Sequence, residues 1–181
     1  MLAAERKDEV EEGTASREEF EAVYARWVGP IYRFCLSQLR VPMLAEDVTA
    51  EVFASALASF QRVRPDEGVG TWLFRIARNA VVDEHRRRRR RVRLLDALVH
   101  DRQPDADPMV SVALRDEVSR AGGHIARLRP RDRELVGLRV AGQLSYAEIA
   151  EVVGINETAA KVATHRALKV VRAALQEEEQ R

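Results

Sequence analysis

Nearly every long segment of this chain carries the apolar spacing of an α-helix, and this periodicity constrains the fold more than any other feature of the sequence. Strict alternation of apolar and polar residues, which is typical of a half-buried strand, is not the prevailing pattern. Glycine and proline, which interrupt helices, number only nine and six among 181 residues. The sequence therefore predicts an all-α protein.

A short stretch rich in proline and charge divides the helical pattern into two parts. Residues 100–108 read HDRQPDADP, which is a linker composition. We predict two small helical domains joined by an extended linker, the second domain being a helix-turn-helix, with Gly29-Pro30 breaking or kinking the first helix. The predicted helices cover 16–39, 45–60, 69–91, 111–127, 130–141, 145–153 and 156–175. The predicted division is a flexible acidic lead at 1–15, a first domain at 16–93, a linker at 94–115, a second domain at 116–176 and a tail at 177–181.

Charge is distributed unevenly although the net charge is only +1. Residues 75–93 contain nine arginines and two acids. On a helical wheel Arg75, Arg78, Arg86 and Arg89 share one face, opposite the apolar residues. Guanidinium groups in such a row bind phosphates and stack on unpaired bases. A solvated charge run is the alternative, but the mutual repulsion of six consecutive arginines favours a polyanionic partner such as nucleic acid.

The segment from residue 144 to residue 171 has the pattern of a helix-turn-helix. Ser145 and Glu148 form a capping box, Gly154 suits the turn, and Asn156 suits the start of the next helix. One face of that last helix is small and apolar, and the opposite face is polar and basic. We therefore favour DNA reading in the major groove over an ordinary amphipathic helix with a solvated basic face.

The helix predicted at 45–60 has an acidic outer face. Asp47 and Glu51 lie one turn apart and are flanked there by Ala54 and Ala58. The predicted inner face consists of Val48, Val52, Phe53, Ala56, Leu57 and Phe60. An acidic strip is most often only a solvated surface, but if the protein has a basic protein partner, a binding role becomes the better interpretation.

Several classes of protein are disfavoured by what the sequence contains. No apolar run reaches the ~18 residues of a membrane span, and the N-terminus does not have the apolar core of a secretory signal. The lone Cys35 forms neither an internal disulfide nor a cysteine-based zinc site. No nucleotide-binding, zinc-protease or hydrolase motif is present. We expect a reduced, cytoplasmic protein without catalytic residues, metal, cofactor or small-molecule substrate.

Four strings in order resemble one family, the extracytoplasmic-function (ECF) sigma factors of bacterial RNA polymerase. They are FEAVYARWVGPIYRFCLSQL, AEDVTAEVFASAL, GTWLFRIARNAVVDEHRRR and LRPRDRELVGLRVAGQLSYAEIAEVVGINETAAKVATHRA. Together they cover most of residues 16–175. The resemblance implies a factor that directs the polymerase core to promoters and helps to melt the −10 region.

The resemblance also implies partners and sites. The partners would be the polymerase core (β′ clamp and β subunits), the −35 duplex, the −10 single strand and an anti-sigma factor. The residues binding the polymerase would be Asp47, Glu51, Val52, Phe53 and Ala54. The −10 strand would be bound by Arg62, Arg64, Trp72, Arg75, Arg78, Asn79, Arg86 and Arg89. The −35 duplex would be bound by Ser145, Tyr146, Thr158, Lys161, Val162, His165, Arg166 and Lys169. Asp101, Asp105 and Asp107 of the linker would mimic nucleic acid.

Two departures from the family pattern lie in the last helix, where Ala163 replaces an expected arginine and Thr164 an expected core leucine. Gly122 and Gly123 are expected to weaken the helix that leads into the second domain. A free-standing, dimeric helix-turn-helix regulator is the alternative function, with the first domain serving as a sensor or dimerisation unit.

Overall fold

The computed structural model describes residues 2–60, 68–98 and 117–180. All regular elements in these ranges are helices, as the periodicity predicted. They are α1 (Leu2–Leu39), α2 (Pro42–Ser59), α3 (Val69–Leu98), α4 (Glu117–Arg127), α5 (Pro130–Val140), α6 (Tyr146–Val153) and α7 (Glu157–Glu179).

Helix α1 is longer than the sequence analysis predicted. It begins at Leu2 and therefore includes the segment expected to be a flexible lead. Alanine and glutamate, both of which favour helices, make up seven of residues 1–15. The helix also continues through Pro30, so the break expected at Gly29-Pro30 is absent. Burial of Ile31, Phe34 and Cys35 directly after the proline stabilises this continuous helix.

Helices α1, α2 and α3 pack around a common apolar core. Val52 of α2 and Leu73 of α3 are fully buried in it, as is Phe34 of α1, which is 1% exposed. Cys35 is also buried there, and burial raises the pKa of its thiol to about 11. This core fixes the outer faces of α2 and α3, which carry the candidate binding residues.

The boundary between the two helical units falls largely outside the described residues. Helix α3 extends to Leu98, and the next described helix begins at Glu117. The first part of the helix predicted at 111–127 and the acidic linker residues Asp101, Asp105 and Asp107 lie outside the described residues. Gly122 and Gly123 lie within α4 rather than ending it, and no side chain packs within 4 Å of where their Cβ atoms would be.

Helices α6 and α7 form the predicted helix-turn-helix. The Ser145 Oγ accepts a hydrogen bond from Glu148 N (3.2 Å), and the Glu148 carboxylate accepts one from Ser145 N (2.7 Å). Gly154 ends α6 with φ +75°, a conformation that glycine adopts without strain. Asn156 caps α7 by accepting a hydrogen bond from Ala159 N (2.8 Å). Both predicted caps and the turn glycine are thus confirmed.

The second helical unit packs directly on the first, an arrangement that the sequence did not predict. Gly137 of α5 lies against α1, where an added Cβ would come within 3.1 Å of Phe34 and Gln38 side-chain atoms. Gly142, just after α5, lies so close to the Phe74 ring of α3 that a Cβ would stand 2.8 Å from it. The Gln38 Nε2 also donates to the Arg133 carbonyl across this contact (3.2 Å). The two units therefore share one continuous core.

Candidate nucleic-acid and polymerase interface

The arginine side of α3 lies opposite its core side, as predicted. Leu73, Phe74 and Ala77 are fully buried. Of the residues expected to bind the −10 strand, Arg75, Asn79, Arg86 and Arg89 are exposed and Arg78 is half-buried. Trp72 packs partly into the core. The remaining two, Arg62 and Arg64, lie outside the described residues.

Acids of the second helical unit occupy part of this face. Arg75 forms an ion pair with Glu151 of α6. The Arg78 Nε donates to Glu134 of α5 at 2.7 Å, and these side chains are only 27% and 15% exposed. Their partial burial makes this the better shielded of the two ion pairs.

Glu148 links the capping box of α6 to the first helical unit. Its Oε1 accepts a hydrogen bond from the Thr71 hydroxyl (3.2 Å), while its other oxygen caps α6. Hydrogen bonding to Ser145 and, to a smaller extent, to Thr71 lowers the pKa of this carboxyl. The sequence analysis identified Glu148 only as part of the capping box, and it did not identify Thr71, Glu134 or Glu151, because no local pattern shows which surfaces two helical units place together.

The acidic strip on α2 is present, and one residue predicted on the inner face of this helix is exposed instead. Asp47, Glu51 and Ala54 are exposed as expected. Val52 and Phe53 are 0% and 5% exposed, so they lie on the inner face as the helical pattern predicted. Of the residues that the resemblance assigned to polymerase binding, these two lie beneath the strip in this structure. Leu57 was expected inside but is 57% exposed, because it lies at the edge of the inner face beside Ala54.

Side chains of α3 and α1 contact α2 beside this strip. Arg87 of α3 turns toward α2 and donates to Glu51 at 3.2 Å, away from the other arginines. Tyr24 of α1 is 46% exposed and meets the Phe53 ring edge-on at 4.8 Å between centroids. Tyr24 and Leu57 thus add apolar surface around the acidic strip, which the sequence analysis missed.

Helix α7 presents the two faces that the sequence predicted, one small and apolar and the other polar and basic. Ala160, Thr164, Ala167 and Val171 are buried. The residues expected to meet the −35 duplex are exposed, apart from half-buried Tyr146; they are Ser145, Thr158, Lys161, Val162, His165, Arg166 and Lys169. Arg166 leans toward Asp132 of α5, with 3.7 Å between the charged atoms. The Arg139 guanidinium lies over the Tyr146 ring, 5.1 Å from its centroid, and so fixes that ring.

A basic helix face and a capped helix-turn-helix define a helical DNA-binding protein. Among the described residues, no three histidine, cysteine, aspartate or glutamate side chains are arranged to hold a metal ion. None of the described helices is long and apolar enough to cross a bilayer.

Comparison with known proteins identifies the class. Residues 23–91 match the family model for sigma-70 region 2, and residues 125–171 match that for sigma-70 region 4. The chain is 33% identical to the ECF RNA polymerase sigma factor BldN of Streptomyces coelicolor over 84% of its own length and 58% of that protein's. It is 31% identical to the RNA polymerase sigma factor CarQ of Myxococcus xanthus, over 90% and 92% of the two lengths. It is 28% identical to the ECF RNA polymerase sigma factor SigM of Bacillus subtilis, over 84% of this chain and 93% of SigM.

Two solved structures share the fold. One is the sigma factor RpoE of Bartonella quintana in complex with the anti-sigma factor NepR, with TM-score 0.71, 22% identity, and coverage of 88% of this chain and 98% of that one. The other is CnrH in complex with the cytosolic domain of CnrY, with TM-score 0.62, 24% identity, and coverage of 87% and 88%. The chain belongs to the ECF sigma factors, transcription initiation factors that direct bacterial RNA polymerase to promoters. The matches favour this class over a free-standing dimeric regulator.

Proposed function

We propose that this chain acts in the cytoplasm, brings the polymerase core to its promoters and helps to melt the −10 region, without catalysing a reaction itself. The two-sided α3 carries the proposal: Leu73 and Phe74 anchor it in the core, while Arg75 and Arg78 point outward. The outward arginines bind the phosphates of the opened strand, and the ring of Trp72 supports the bases. Helix α7 enters the major groove of the −35 duplex.

The acidic strip on α2 binds the polymerase core at its β′ clamp. Asp47 and Glu51 supply negative charge, and Ala54 lets a partner approach closely. Exposed Leu57 and Tyr24, beside the acidic residues, add the apolar contact that a stable interface needs. Val52 and Phe53 contribute by holding the helix in place from beneath.

Binding of the −10 strand requires the two helical units to separate. Arg75 and Arg78 cannot pair with Glu151 and Glu134 and at the same time with DNA phosphates. The closed arrangement is therefore a state of the chain before promoter engagement, and the polymerase selects the open one. An anti-sigma factor that binds the closed arrangement would hold the chain inactive. A protein of the same fold, the sigma factor RpoE of Bartonella quintana, forms a complex with the anti-sigma factor NepR.

Run-off transcription with polymerase core on a genomic library, followed by mapping of start sites, tests the proposed function. The wild-type chain should direct initiation at a defined set of promoters. The double variant Asp47→Lys and Glu51→Lys should lose polymerase binding while circular dichroism shows unchanged helicity. Reversal of the exposed Glu18 and Glu19 in the same helical unit is the matched control and should leave transcription intact. Normal polymerase binding by the α2 variant would contradict the assigned docking surface.

A further inference from the structure

Val162 is an apolar residue on the proposed DNA-reading face of α7. It is 62% exposed, whereas the buried side of the helix is formed by residues such as Ala160 and Thr164. Its exposed neighbours on this face are polar, among them Lys161 and His165. Val162 is thus an exposed apolar residue in the middle of a polar surface.

Four exposed residues lie one turn from Val162 on the helix surface, namely Thr158, Ala159, His165 and Arg166. Ala159, one turn earlier, is exposed and ends at its Cβ, and half-buried Ala163 follows directly in the sequence. A β-branched side chain in a helix occupies essentially one χ1 rotamer. Both methyl groups of Val162 are therefore held in fixed positions before DNA binds, which lowers the entropy cost of a specific contact.

The chemistry of the major groove restricts what such a group can recognise. Each base edge there offers hydrogen-bond donors or acceptors, and thymine alone adds an apolar group, its C5 methyl. Valine cannot hydrogen-bond, so placing it against a polar edge would remove water from that edge without compensation. We propose that Val162 contacts a thymine methyl and thereby specifies a T·A pair in the −35 element. This rests on the proposed function, in which α7 enters the −35 major groove.

Replacing thymine by deoxyuridine, which removes only the methyl group, tests the contact. The full chain assembled with polymerase core is first used to select promoter duplexes randomised in the −35 region. Each thymine of the selected element, on either strand, is then replaced singly by deoxyuridine and binding is measured. At one position the loss of the methyl group should weaken wild-type binding about fourfold. Burial of one carbon contributes ~0.8 kcal/mol, and ~1.4 kcal/mol corresponds to a tenfold change in affinity. Val162→Ala should bind thymine and deoxyuridine equally at that position.

Val170→Ala is the matched control. Val170 is 55% exposed on the same helix, two turns after Val162, and lines a groove beside Arg127 and Leu128 of the α4–α5 junction. This variant should keep the fourfold discrimination. The inference would be overturned if Val162→Ala still distinguished thymine from deoxyuridine about fourfold, or if the wild type did not distinguish them at any position. In either case, selection of a defined −35 sequence would still support the proposed function. Selection of no −35 sequence at all would overturn the proposed function and this inference with it.

Discussion

At the scale of single residues, the core of the second helical unit contains a polar group without compensation. Thr164 is 0% exposed, and its hydroxyl has no hydrogen-bond partner among the described residues. The sequence analysis marked Thr164 as an unusual replacement for a core leucine, but only the structure shows that the hydroxyl is buried and unpaired. A buried hydroxyl in this state costs about 1–3 kcal/mol.

Thr164→Val should therefore stabilise the protein. Valine has nearly the same shape and no polar atom, so we expect the free energy of unfolding to rise by about 1 kcal/mol. Urea denaturation followed by circular dichroism measures this, and Thr158→Val on the exposed face serves as the control, with a change within about 0.5 kcal/mol. A loss of stability in Thr164→Val would show that the hydroxyl has a partner in solution.

His85 of α3 gives the closed arrangement a dependence on pH. Burial lowers its pKa most, followed by nearby Arg133 of α5 and then Arg88 and Arg89, while Glu84 acts in the opposite sense. Arg133 is itself 9% exposed, with an unpaired Nε among the described residues, and burial followed by the charge of Arg40 lowers its pKa. Protonated His85 is therefore disfavoured in the folded, closed chain.

Because the folded pKa of His85 lies below the ordinary value of about 6.5, acid favours the unfolded chain. This destabilisation of the folded chain is absent above about pH 7.5, and it grows as the pH falls through about 6.5 toward the lowered pKa. Between pH 7.5 and 5.5 we therefore expect the unfolding free energy of His85→Gln to fall less than that of the wild type. Urea titrations across this range measure the difference, with His165→Gln on the exposed face of α7 as control. Parallel pH profiles for His85→Gln and wild type would refute the prediction.

At the scale of helices, the sequence was most informative where local chemistry decides the structure. The capping box at Ser145, the turn at Gly154 and the cap at Asn156 all use hydrogen bonds or backbone geometry within a few residues. Elements decided by packing were harder to predict. The continuation of α1 through Pro30 and the exposure of Leu57 depend on what neighbouring helices cover, and periodicity alone does not encode this.

Removal of the capping box should cost stability of the second helical unit. In Ser145→Ala the side-chain acceptor for Glu148 N is lost, and a loss of about 1 kcal/mol is expected. Thermal unfolding measures it. The control is Ser55→Ala, an exposed position within α2, where alanine favours the helix and no destabilisation is expected. Equal melting temperatures for Ser145→Ala and wild type would contradict the role of this cap.

At the scale of the whole molecule, two helical units and their family were predictable, but their closed arrangement was not. Gly137 costs helix stability in the middle of α5, and the sequence offers no reason for it. The reason is the close approach of Phe34 and Gln38 from α1, a contact between residues about a hundred positions apart. The ion pairs of Arg75 and Arg78 belong to the same contact and cover the face proposed for DNA.

Weakening this contact should increase the affinity of the free chain for single-stranded −10 DNA. In Glu134→Gln with Glu151→Gln both arginines lose their charged partners and become available to phosphates. We expect several-fold tighter binding of the strand and a larger radius of gyration in small-angle X-ray scattering. The control variant Glu157→Gln with Glu177→Gln makes the same change in charge at exposed sites on α7. An equal increase in DNA affinity in the two variants would mean that the change in net charge, and not the release of Arg75 and Arg78, is responsible.

The central claim is that the arginine face of α3 acts on opened DNA while a separate strip on α2 binds the polymerase. Promoter opening by holoenzyme containing Arg75→Ala and Arg78→Ala tests it most directly, with permanganate reactivity of −10 thymines as the readout and core association measured in parallel. The account predicts that opening falls at least tenfold while association with the core stays within about twofold of wild type, since each lost charged contact costs ~1.5–3 kcal/mol. Equal loss of opening and core association, or unchanged opening, would contradict it.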